Sequence, residues 1–108
     1  MYTSNNHNLI DCAIIKVDST RMSNSYLQDG SANTYGYNYT VRVEDIEQTM
    51  KFIKEVFKEF NMPCSRIYLS GFACLTEDYI WTKQRIVNQV KNESIRLANN
   101  TKTSSLAR

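Results

Sequence analysis

Few side chains in this chain could carry catalysis or hold a metal, and they are poorly grouped. They are one histidine, His7, three cysteines, Cys12, Cys64 and Cys74, and two adjacent acidic pairs, Glu44 with Asp45 and Glu77 with Asp78. Imidazole serves as acid, base or ligand only where its surroundings orient it, and His7 lies in the polar opening stretch, residues 1–8, which reads as flexible. The cysteines are odd in number with no CxxC pair, which argues against a disulfide framework and against zinc, so they read as reduced, buried fillers. Cys74 precedes an expected helix start, where a thiolate can be stabilised, and Cys64 follows Pro63; these are the candidate nucleophiles. The acidic pairs have the composition of a Mg²⁺ or hydrolase site, but both stand where helices begin, and the helix dipole accounts for acids there. With no GxGxxG, GxxxxGK[ST] or HExxH and only three glycines, no phosphate loop is present. The reading is a protein that is not an enzyme, with no catalytic residue, metal or cofactor.

Composition narrows the class. The 108 residues suit one domain with one core, and the 42% hydrophobic and 22% charged fractions are those of a globular chain. No apolar run approaches the roughly 18 residues of a membrane span, and the first residues lack the basic and apolar segments of a secretory signal. Cytoplasmic residence without a membrane is therefore expected. N-x-[ST] sequons at Asn38, Asn92 and Asn99 carry no weight in an asparagine-rich chain without such a signal. Thirteen basic against eleven acidic residues, a net charge of +2, is too weak a bias to imply nucleic acid. Abundant Asn, Ile, Lys and Tyr, all specified by AT-rich codons, suggest an AT-rich genome such as that of a phage or low-GC bacterium.

Two strands, a helix, a strand and a second helix are expected to position these groups. Residues 9–17 are apolar on both alternation sets and rich in β-branched residues, the pattern of a central strand. Residues 18–34 are dense in turn formers around Asp29 and Gly30 and read as a long loop. Residues 35–43 alternate, with Tyr35, Tyr37, Tyr39, Val41 and Val43 on one face. Asp45 and Gln48 have capping-box spacing ahead of a helix whose stripe is Ile46, Met50, Ile53, Val56, Phe57 and Phe60, ended by Asn61 and Pro63. Residues 65–73 form a third strand. Thr76 is the expected N-cap of a last helix that buries Tyr79, Ile80, Ile86, Val87, Val90, Leu97 and Ala98. Residues 9–98 make the domain and 99–108 a flexible tail.

The fold class that follows is α+β, a ββαβα two-layer sandwich with a three-stranded mixed sheet and both helices on one face. A strand-helix-strand crossover makes the second and third strands parallel and places the first between them. The layout is a split βαβ and resembles part of a ferredoxin-like fold.

Two surfaces remain as functional candidates. On the open sheet face, Ile10, Cys12 and Ile14 are expected beside Tyr68 and Phe72, with Arg42 and Arg66 nearby; an apolar strip there implies a dimer, a partner or coverage by the long loop. On the last helix, Trp81 and Ile95 fall outside the buried arc beside Arg85, Asn88, Asn92 and Arg96, residue types that dominate interface energetics, although Trp81 could equally stack on Arg85. The leading function is a small non-enzymatic protein-interaction module, plausibly a phage or mobile-element factor that binds and regulates or inhibits a host protein, with homodimerisation open. On that reading Trp81→Ala abolishes partner capture without lowering the melting temperature. The alternatives are a single-stranded nucleic-acid binder using Arg42, Arg66, Tyr68 and Phe72, and a small enzyme at a dimer interface.

Overall fold

The computed structural model describes residues 8–22 and 32–106. His7 and the centre of the expected loop lie outside the described residues. The chain forms β1 (Ile10–Met22), β2 (Ala32–Arg42), α1 (Ile46–Glu59), β3 (Arg66–Leu75) and α2 (Lys83–Leu106), with 3-10 turns at Val43–Asp45 and Glu77–Tyr79. The sheet order is β2-β1-β3, so the doubly apolar first strand is central, as its sequence requires. β2 and β3 run parallel to each other but do not touch. Each pairs antiparallel with β1, so the sheet expected to be mixed is antiparallel in both of its ladders.

Both ends of the expected loop at 18–34 are strand. β1 continues to Met22 and β2 begins at Ala32, with Thr20 paired to Thr34 and their hydroxyls 3.0 Å apart. Turn-forming residues become strand here because the neighbouring chain supplies hydrogen-bond partners on both sides. The Ser65 amide donates to the Asp18 carbonyl at 2.8 Å, and the Thr20 amide donates to Ser65 Oγ at 3.0 Å. Tertiary pairing overrides local preference.

The core lies on one face of this sheet. Ala13, Ile15 and Val17 of β1 and Tyr39 and Val41 of β2 pack against Ile53, Val56, Phe57, Ile86, Val90 and Leu97 of the helices, with Met62. The stripe of α1 is therefore the one its periodicity predicts, and Phe57, fully buried, contributes about 1.5–3 kcal/mol by leaving water. Helix α1 ends as the sequence indicates. Asn61 adopts φ 56°, its amide donates to Lys58 O at 3.1 Å, and the Met62 amide donates to Phe57 O at 2.8 Å. This is a Schellman cap, with buried Met62 completing its hydrophobic contact.

Helix α1 starts directly after Asp45 as expected, but its capping and the start of α2 differ from expectation. Asp45 makes no side-chain cap bond, because a 3-10 turn precedes α1 and leaves Asp45 at φ −106°, ψ 11°. Thr76 opens only the 3-10 turn at Glu77–Tyr79 and likewise makes no side-chain cap bond. The working N-cap of α2 is Thr82, whose Oγ1 accepts from the Arg85 amide at 3.1 Å and whose carbonyl accepts from the Ile86 amide at 3.0 Å. Tyr79 is consequently exposed, as is Ala98, while Ile86, Val90 and Leu97 keep their expected burial. The helix runs on to Leu106, past the point where a tail was expected. No helix among the described residues is long and apolar enough to cross a membrane.

Candidate functional site

Strand β3 is an edge strand, and the helical layer stops short of it. Pairing fixes which side chains share a face. Ile67, Leu69, Phe72 and Cys74 lie opposite Val17, Ile15, Ala13 and Asp11, on the helix-bearing face, while Arg66, Tyr68, Gly71, Ala73 and Leu75 lie opposite Asp18, Lys16, Ile14, Cys12 and Ile10, on the open face. Ser70 is the extra residue of a β-bulge between the Ile14 and Ile15 pairs. Ile15 and Ala13 are fully buried, yet their neighbours Leu69 and Phe72 are 39% and 65% exposed. The helices roof β1 and β2 and leave this rim of β3 bare. Val43, also exposed, borders an open cleft with Asp11, Cys12, Phe72, Ala73 and Cys74.

The bulge corrects the expected open-face strip. Uninterrupted alternation puts Tyr68 and Phe72 together; Ser70 turns Phe72 to the opposite face. Cys12, expected exposed, is fully buried and donates its thiol to the Ile10 carbonyl at 3.3 Å. Ile10 and Ile14 are half-buried. Arg42 does face the open side, where Glu77 holds it at 3.3 Å. The Arg66 guanidinium stacks on the Tyr68 ring 4.1 Å from its centroid. What remains open is chiefly polar, and at Gly36 and Gly71 an added Cβ would meet nothing within 4 Å.

The second candidate surface also changes. Trp81 lies before α2, not on its exposed face, because the chain must first reach the outer edge of β2, where the Trp81 amide donates to the Thr40 carbonyl at 2.9 Å. Its ring packs edge-on against Tyr39, centroids 5.0 Å apart, and Arg85 stacks over it at 3.9 Å. The intramolecular alternative is thus the observed one. Ile95 is exposed at 47%, with Asn88, Asn92 and Arg96 also exposed, but Arg96 is held by Glu93 through bonds of 2.8 and 3.2 Å. A single exposed isoleucine among polar residues is an ordinary surface.

Between β2 and α2 runs a polar seam. Tyr39 donates to Gln89 Oε1, and Tyr37 donates to Glu93 Oε1 at 3.0 Å. Burial, reinforced for Tyr37 by its bond to Glu93, pushes both phenols far above their ordinary range. The Arg96 bonds, helped by the Tyr37 hydroxyl and opposed by partial burial, hold Glu93 below the usual carboxylate range. Every member is engaged within the fold, so the seam is structural.

The candidate nucleophiles are placed unfavourably for attack. Cys74 is exposed and donates to Asp11 Oδ1 at 3.2 Å, which with the carboxylate's charge raises its thiol pKa. Burial raises that of Cys64 despite Lys54. Both shifts favour the thiol over the reactive thiolate. Glu44 with Asp45 and Glu77 with Asp78 sit in the two 3-10 turns, and the described residues hold no group of three or more metal-ligating side chains. Comparison with protein-family models, curated proteins and solved structures finds no match.

Leu69 and Val43 were missed as surface residues. The available signal was Ser70-Gly71 inside an otherwise apolar run, because glycine within a strand marks a bulge or a weakly packed stretch.

Proposed function

We propose that the chain is a non-enzymatic protein-interaction module that regulates or inhibits its partner, and that its contact element is the bare rim of β3. The observation that carries this reading is the exposure of Leu69 and Phe72 along an edge that no described strand covers. Among the described residues no strand pairs with the outer side of this ten-residue strand, which carries neither proline nor lysine and whose one interruption is the bulge at Ser70. Soluble chains normally protect such an edge, and an extended segment of another protein satisfies it by adding a strand. The abundance of Asn, Ile, Lys and Tyr is compatible with a phage or mobile-element origin and a host protein as target.

A photoreactive phenylalanine analogue placed at position 72, with one at position 92 on α2 as comparison, tests the site in producing cells. Covalent adducts to another protein from position 72 and none from 92 are expected. Adducts from 92 alone would move the site to α2, and adducts removed by nuclease would favour the single-stranded nucleic-acid reading. Adducts confined to twice the chain's own mass would replace regulation of a second protein by self-association.

A further inference from the structure

We propose that the free protein pairs with a second copy of itself through β3, in antiparallel register about the centre of the strand, closing a six-stranded sheet. This rests on the reading of β3 as a contact element but requires no other protein.

Antiparallel self-pairing about a two-fold axis places residue i of one copy opposite residue j of the other with i + j constant. It works only if opposed side chains share a face. In β3 the helix-side set is Ile67, Leu69, Phe72 and Cys74, and the open-side set includes Arg66, Tyr68, Ala73 and Leu75. Setting Leu69 opposite Phe72 of the second copy maps the helix-side set onto itself and, apart from Gly71, which meets the bulged Ser70, the open-side set as well. Ile67 meets Cys74, Tyr68 meets Ala73 and Arg66 meets Leu75. Because Ser70 is the extra residue of the bulge, Leu69 and Phe72 share a face, and the two halves of the strand present matching faces about the midpoint. Residues that share a face also send their N–H and C=O groups to the same side of a strand, so this register aligns the hydrogen bonds as well.

Composition fits the same arrangement. The two exposed apolar side chains of the rim, Leu69 and Phe72, become direct cross-strand neighbours at the centre. Arg66, the one charged residue of β3, ends up beside the far end of its mate. The two arginines then stand roughly 30 Å apart at about 3.3 Å per residue, well beyond the screening length of about 10 Å. A parallel pairing would set them side by side. A contact of one strand pair with two apolar anchors falls below the roughly 800 Å² per partner of a standard interface, so a dissociation constant on the order of 1–100 μM is expected.

Light scattering on the purified chain across that range decides the matter. The wild type should rise from the 12.6 kDa monomer towards twice that mass. Phe72→Lys, at an exposed position, should keep its melting temperature and weaken association by about tenfold or more. The double variant Leu69→Glu with Phe72→Lys restores two opposed pairs of unlike charge in this register alone, so it should dimerise again. A wild type that stays monomeric throughout overturns self-pairing while leaving the cellular adducts of position 72 to stand or fall separately. A dimer indifferent to Phe72→Lys places the interface elsewhere, and failure of the double variant to recover rejects the register.

Discussion

At the scale of single residues, Glu93 links α2 to β2 by accepting from Tyr37 and from Arg96. Its proton affinity is lower folded than unfolded. The stability it provides is therefore fully present above the ordinary glutamate pKa near 4.3 and is lost as pH falls through the lower folded value. Thermal melts of Glu93→Gln should show a shallower acid decline than wild type below about pH 4; an identical decline would remove Glu93 as its source. The tyrosines act at the other end of the scale. Tyr37 and Tyr39 stay protonated in the fold where unfolded phenols ionise, so stability present below about pH 10 is lost as pH rises beyond it. Trp81 also belongs here, because its contacts with Tyr39 and Arg85 are internal. Trp81→Ala should cost about 2–4 kcal/mol, less than a fully buried tryptophan, read as a lowered denaturation midpoint. An unchanged midpoint would return Trp81 to the surface.

At the scale of elements, the bulge in β3 matters most. Removing Ser70 leaves every remaining side chain of β3 on its present face and restores an uninterrupted ladder with β1. The shortened chain should fold and should self-associate more tightly, since a flat edge pairs more readily than a bulged one; weaker association in light scattering would count against the β3 register. The elements also show what was legible in the sequence. The central place of β1, the stripe of α1 and its end at Asn61 follow from local composition and were readable. Single side chains at either end of an element were not. Asp45 and Thr76 have the right chemistry for caps, but the 3-10 turn before α1 leaves Asp45 at its N-cap position without a side-chain bond, and Thr76 opens a 3-10 turn ahead of α2. Strict alternation puts Phe72 on the wrong face because it holds only within an unbroken ladder, and one extra residue reverses it.

At the scale of the whole molecule, the described structure extends 60 × 25 × 22 Å, with helices over β1 and β2 and none over the rim of β3. Such an arrangement protects backbone groups unequally. Amide hydrogen exchange in dilute solution should be slowest in β1, bonded on both sides, and fast at alternate residues of β3. Those alternate amides should slow as the concentration rises through the dimer range. Uniform protection of β3 at every concentration would mean that something within the chain already covers the edge.

The first strand lies in the middle of the sheet, and this gives the molecule a timetable. During synthesis β2 can close one side of β1 almost as soon as both have left the ribosome. The other side must wait for Leu75, paired with Ile10, which is made about 50 residues after the end of β1. At bacterial or eukaryotic elongation speeds of roughly 5–20 residues per second, that is an interval of about 3–10 s. Through it the nascent chain carries an apolar strand with at least one naked flank, and neighbouring chains on the same message pass through the same stage.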